Sequence, residues 1–222
     1  MLEANKNRWI ENAFGIYNKN LLRRRFNSLR VSCLELLNDN IPSIIYANHS
    51  SWWDGLVAFQ ISQSIKADSF IMMEEKQLRN LFFFRKLGAF SVVRENPREA
   101  VQSLKYAINL LEEDKARTLW IFPQGKILPN EVRPIKFYNG LARIIEKTDI
   151  CAVSSLAIRY EFLDAYKPDV FIKVGQPETF NARDVSNSKE LTTKFEKNLT
   201  DLLDELKSDV RLTNLKHYKN II

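Results

Sequence analysis

Along this chain, short apolar runs alternate with stretches in which apolar residues recur every three or four positions, and the two periods predict strands and helices in turn. Residues 8–29 open the series. Trp9/Ile10, Ala13/Phe14, Tyr17, Leu21/Leu22 and Phe26 share one helical face, opposite lysine, arginine and asparagine. The run 44–47 reads as a buried strand, and 54–64 as a helix entered through Ser50 or Ser51 as N-cap. A strand at 70–73 and a helix at 75–86 follow, leading through Gly88 into a strand at 90–93. Pro97 starts a longer helix carrying Ala100, Leu104, Ile108 and Leu111 on one face, and 118–122 is the next strand. After a loop punctuated by Pro123, Gly125, Pro129 and Pro134 come a helix at 140–147 and strands at 151–158 and 170–174. The last helix, 188–208, aligns Leu191, Phe195, Leu199, Leu202, Leu203 and Leu206. Such alternation predicts a single layered α/β domain over 31–222, with a mostly parallel central sheet flanked by helices. The amphipathic helical segment 1–30 precedes it.

A length of 222 residues with 45% apolar content fits one globular core. Cys33 and Cys151 stand far apart without metal-ligand spacing, so neither a zinc site nor a disulfide framework is expected. No run approaches the roughly 20 apolar residues of a membrane-spanning helix, and no secretory signal opens the chain, so the expected location is cytoplasmic. Charge changes the picture more. Of the net +6, residues 1–30 hold seven cations against two carboxylates. A basic helix bearing Trp and Phe suits the surface of a membrane with anionic lipids, giving a peripherally associated protein. The same residues also suit a helix that packs its apolar face on the domain. Because the basic excess is confined to that helix, with no recognised binding motif, no nucleic-acid partner is expected.

The chemistry concentrates in two turns. Asn48-His49-Ser50-Ser51-Trp52-Trp53-Asp54-Gly55 follows an apolar strand, where polar side chains emerge at the carboxyl edge of a sheet. Asp54 can accept the imidazole Nδ1 proton of His49, leaving Nε2 free to take a proton from a hydroxyl. Phe122-Pro123-Gln124-Gly125-Lys126 follows a second apolar strand; Gly125 permits a tight turn with exposed amides, and Lys126 sets a cation beside them. A serine hydrolase is not indicated, since no GxSxG elbow exists and His217 lies in a polar tail.

The first turn resembles the NHxxxxD signature of the glycerolipid (lysophospholipid) acyltransferase family, and FPQGK is similar to that family's FPEGT block. Gly88 to Arg94 resembles the intermediate block, in which an arginine follows a glycine by six residues, so the likeness spans roughly residues 44 to 160. It implies His49 as general base, Asp54 as its orienting partner, and Arg94 with the third block (Gln124, Gly125, Lys126) as binders of the acceptor's polar head. The donor implied is an acyl thioester, acyl-CoA or acyl carrier protein; no metal or redox cofactor is required. The acceptor is a lipid hydroxyl, such as that of 1-acylglycerol-3-phosphate.

Departures fall in the third block. Gln124 replaces glutamate, and Lys126 and Ile127 replace threonine and arginine, leaving Lys126, Arg133 or Lys136 to supply the missing charge. A glycolipid or another non-phosphate lipid alcohol is therefore the alternative acceptor, and a non-catalytic lipid-binding relative the alternative of another class. Trp52, Trp53, Phe82 and Phe83 are expected to flank the acyl chain or meet a membrane.

Overall fold

The computed structural model describes residues 1–37, 41–185 and 187–222. The apolar runs become strands stacked in one sheet, in the order β4-β3-β5-β2-β6-β7-β1-β9, with β8 on β6. The central strands are β2 (Ser43–Ala47), β5 (Arg117–Ile121), β3 (Asp68–Glu74) and β4 (Ala89–Val92), all parallel, with β6 (Ile150–Glu161) parallel to β2. On the far side β7 (Asp169–Val174) returns antiparallel to β6 and pairs in parallel with β1 (Leu29–Ser32). Two short strands, β8 (Glu178–Asn181) and β9 (Lys219–Asn220), pair antiparallel with β6 and β1.

Alternate side chains of the sheet feed two cores, because successive strand residues point to opposite faces. Ile44, Tyr46, Leu119 and Ile121 bury against α4 (Pro97–Glu113), α5 (Gly140–Ile145) and α6 (Ser188–Arg211). Ile45, Ala47 and Trp120 bury on the other face, against α1 (Arg8–Arg25) and α2 (Asp54–Ile65). Helices on both faces of a mainly parallel sheet match the predicted architecture. β2 and β5 are neighbours, with Tyr46 opposite Ile121. The loops leaving their carboxyl ends therefore lie side by side, although more than 70 residues separate them in sequence.

Three expectations need correction. The first helix ends at Arg25 rather than 29: Phe26 is already extended, and Leu29 and Val31, fully buried in β1, belong to the sheet. A boundary at residue 30 thus falls inside a core strand. Of the two placements left open for the apolar face of α1, each holds in part: Phe14 packs edge-on against Phe59 (5.2 Å), and Leu22 and Phe26 join the core. Glu11, Asn18 and Leu22 are buried, with Asn18 donating to the Leu56 carbonyl (3.1 Å), while Trp9 (86% exposed), Ile16 and Tyr17 face outward. The helix expected over 75–86 breaks at Leu81 into α3 (Glu75–Asn80) and a 3-10 turn, Phe82–Leu87, which turns Phe84 inward and leaves Phe82 and Phe83 exposed. Ser50 and Ser51 do not cap α2 with their side chains; α2 has Trp53 at its N-cap position and no side-chain cap.

Candidate active site

β2 does not stop pairing when its backbone leaves the sheet. The Asn48 amide continues the ladder, accepting from the Ile158 N–H (2.7 Å) and donating to the Ile158 carbonyl (2.9 Å) and to Asn130 (2.8 Å). His49 follows, and its backbone is held from both sides: its N–H donates to Gln124 Oε1 (2.7 Å) and its carbonyl accepts from the Leu128 amide (2.8 Å). The two turns singled out in the sequence are thereby bonded to each other.

Asp54 opens α2 and points back into this turn with no exposed side-chain surface. Its Oδ2 accepts from the Ser50 and Ser51 amides (2.7 and 2.8 Å) and lies 2.8 Å from His49 Nδ1. A negative group at a helix N-terminus, receiving backbone N–H donors, is favoured by the same dipole that stabilises bound anions there. An ionised carboxylate only accepts, so Nδ1 carries the proton and the Nε2 lone pair of His49 is the free one. The Phe122 ring stacks on the imidazole at 4.7 Å and 27°. Among the described residues, Oδ1 of Asp54 has one partner, the Tyr160 hydroxyl, at 2.6 Å. Burial first, and the Asp54 charge second, hold that hydroxyl well above the ordinary tyrosine range, so it stays a donor.

His49 lines a cavity of about 690 Å³ that runs between α1, α2 and the sheet toward α4. Leu56, Phe59, Met72, Phe84, Ala89 and Leu104 give it apolar walls. Since a methylene and a water molecule, at roughly 30 Å³, take up similar volume, there is space for on the order of 20 chain atoms. Charge collects where Glu74, Arg94, Lys126 and Arg143 reach the wall.

A family model for acyltransferases matches residues 28–158, more than half of the chain. The protein belongs to the acyltransferase family. No curated protein matches the sequence. Among solved structures, the 1-acyl-sn-glycerophosphate (LPA) acyltransferase PlsC from Thermotoga maritima is similar, with a TM-score of 0.68 and 21% identity over 90% of this chain and 80% of that one.

In this acyltransferase the other sequence-marked residues divide between the cavity and the outer surface. Arg94 and Gly125 meet at the cavity wall. The guanidinium donates to the Gly125 carbonyl, pairs with Glu74 at 3.3 Å and lies 5.2 Å from the Tyr138 ring. Gly125 has φ +66°, and a Cβ there would overlap Arg94 and come within 2.7 Å of Tyr138, so a side chain would strain the backbone and push the Arg94 guanidinium and the Tyr138 ring aside. Its own amide is engaged by the Phe122 carbonyl (3.0 Å). Gln124 is buried on His49, Lys126 is exposed at the cavity, and the exposed Ile127 lines the cavity beside it. Arg133 and Lys136 are not brought there: they pair with Asp204 (2.8 Å) and Glu196 (3.1 Å) on α6. Trp52 stands at the cavity, half-exposed, whereas Trp53 packs edge-on against Phe26 at 5.3 Å. Phe82 and Phe83 stay on the surface, and their neighbour Phe84 enters the cavity.

Three residues at the site carried no sequence signal read as functional. Tyr160, Glu74 and Arg143 look like ordinary strand and helix residues. Among the described residues, Arg143 and the predicted Lys126 are the cavity cations whose side chains make no ion pair or hydrogen bond.

Proposed function

We propose that this acyltransferase moves a fatty acyl group from an acyl thioester, acyl-CoA or acyl carrier protein, to a hydroxyl of a lysophospholipid such as 1-acylglycerol-3-phosphate. The observation that carries the reading is the His49–Asp54 pair at the wall of a long apolar cavity. An alcohol at neutral pH is a poor nucleophile, and His49 Nε2 is placed to take its proton as the oxygen attacks the thioester carbonyl. The carbonyl becomes a tetrahedral oxyanion. Its collapse re-forms the carbonyl, breaks the C–S bond, and expels a thiolate that recovers the proton from His49. Asp54, fixed by its hydrogen bonds, keeps the imidazole in the required tautomer and offsets the charge it gains.

The apolar cavity suits the acyl chain, while Lys126, Arg143 and Arg94 against one carboxylate, Glu74, favour an anionic head group over a neutral glycolipid. Among the described residues no helix is long and apolar enough to cross a membrane. The outward Trp9, Ile16 and Tyr17 of α1, together with exposed Phe82 and Phe83 and the arginines of its last turn, suit peripheral binding to anionic lipid. Radiolabelled acyl thioester offered with lysophosphatidic acid, monoacylglycerol or a glycolipid tests the acceptor. Preferential labelling of the phosphate-bearing product is expected; labelling of the uncharged acceptors alone would overturn the assignment.

A further inference from the structure

The turn joining β6 to β7, Phe162-Leu163-Asp164-Ala165-Tyr166-Lys167-Pro168, holds exposed apolar rings that neither the fold nor the reaction uses. Tyr166 is 98% exposed and Phe162 73%, with Leu163 also exposed between them. Single exposed apolar residues need no explanation, but three within five positions at a hairpin tip form a patch.

Its neighbours say what covers it. Lys167 Nζ donates to the Arg23 carbonyl (3.0 Å), and the Asn27 amide donates to the Pro168 carbonyl (2.9 Å), so the tip abuts the last turn of α1. That turn exposes Arg23, Arg24 and Arg25. With Lys167 they set four cations around the tip against its one carboxylate, Asp164. Because β6 runs parallel to β2, the tip also rises from the carboxyl edge of the sheet, the edge at which His49 and Asp54 stand. Tyr160, two residues before it, holds Asp54, and Phe26 of the α1 end packs on that ring at 5.7 Å.

The geometry points to a second membrane contact: the tip residues Phe162, Leu163 and Tyr166 insert into an anionic bilayer surface beside the basic end of α1, and two contacts instead of one fix the orientation in which the cavity meets the lipid. Apolar and aromatic side chains flanked by cations are the chemistry of the head-group interface. This contact rests on the peripheral-membrane reading above.

Co-sedimentation with vesicles of phosphatidylglycerol and phosphatidylcholine separates the two ideas. Wild-type protein is expected to bind, and the combined Phe162→Ser, Leu163→Ser, Tyr166→Ser variant to bind about tenfold more weakly. Transfer to a short-chain, monomeric acceptor should be unchanged in the variant, because none of the three residues lines the cavity. If wild type fails to bind vesicles, the membrane reading falls and this contact with it. Binding by wild type and variant alike overturns the hairpin contact alone. So does an equal loss of transfer to the monomeric acceptor, or a change of oligomeric state at unchanged vesicle affinity, which would make the tip a contact between copies.

Discussion

Replacing Tyr160 with phenylalanine isolates one bond. The ring and its packing on Phe26 are kept, and only the donor to Asp54 Oδ1, 2.6 Å away, is removed. Asp54 is entirely enclosed, and no other group among the described residues donates to that oxygen, so the variant leaves half of a buried carboxylate without a partner. A hydrogen bond to a charged group, or the cost of leaving one unmade, amounts to about 2 kcal/mol. For a chain of 222 residues this corresponds to a drop in Tm of roughly 4–8 °C. Loss of the Oδ1 anchor also frees the carboxylate to rotate away from His49, so kcat should fall about tenfold while KM for either substrate holds, since Tyr160 touches neither the cavity wall nor Arg94. Scanning calorimetry together with steady-state transfer kinetics reads both effects. A variant with wild-type Tm and wild-type kcat would refute the claim that Tyr160 positions the dyad.

Gln124 acts here through its side-chain oxygen, so Gln124→Glu should keep transfer activity within a few-fold, while Gln124→Leu, which strips the acceptor from the His49 amide, should lose most of it. Equal activity of the two variants would contradict that role. Arg143→Ala should raise KM for lysophosphatidic acid about tenfold with little effect on an uncharged acceptor, the loss of one charge-assisted contact to phosphate; a like effect on both acceptors would remove Arg143 from head-group binding. Lys207 and Arg159 hold the Glu131 carboxyl down to about 2 from its ordinary 4.5, so its contribution to stability is present above about pH 4.5 and is lost as pH falls toward 2. Tm in acid should therefore fall less steeply in Glu131→Gln than in wild type, and parallel curves would show the pairing to be inert.

The contact between His49 and Asp54 could be read from sequence because it is local: strand, histidine and helix start lie within a dozen residues, and an apolar run ending in polar side chains marks a sheet edge. β2 and β5 were likewise legible as short buried runs. Tyr160 was not, because it lies 106 residues from Asp54 and reaches it only when β6 runs on past Ile158 beside β7, a pairing no local period encodes. β1, β8 and β9 escaped for a similar reason, being short and held by strands distant in sequence. Spacing left open whether the apolar side of α1 meets a membrane or the domain, because it does not show that α2 offers Asn18 a carbonyl partner and so makes a polar inward position tolerable. Arg143 looks like any solvated helix arginine until folding sets it against the cavity.

Acyl transfer from a radiolabelled acyl thioester to lysophosphatidic acid, compared between wild type and His49→Ala, tests the central claim most directly. With the general base removed, the rate should drop on the order of a thousandfold while the protein stays folded. A His49→Ala enzyme that transfers acyl groups at the wild-type rate would contradict the assignment of His49 as the base.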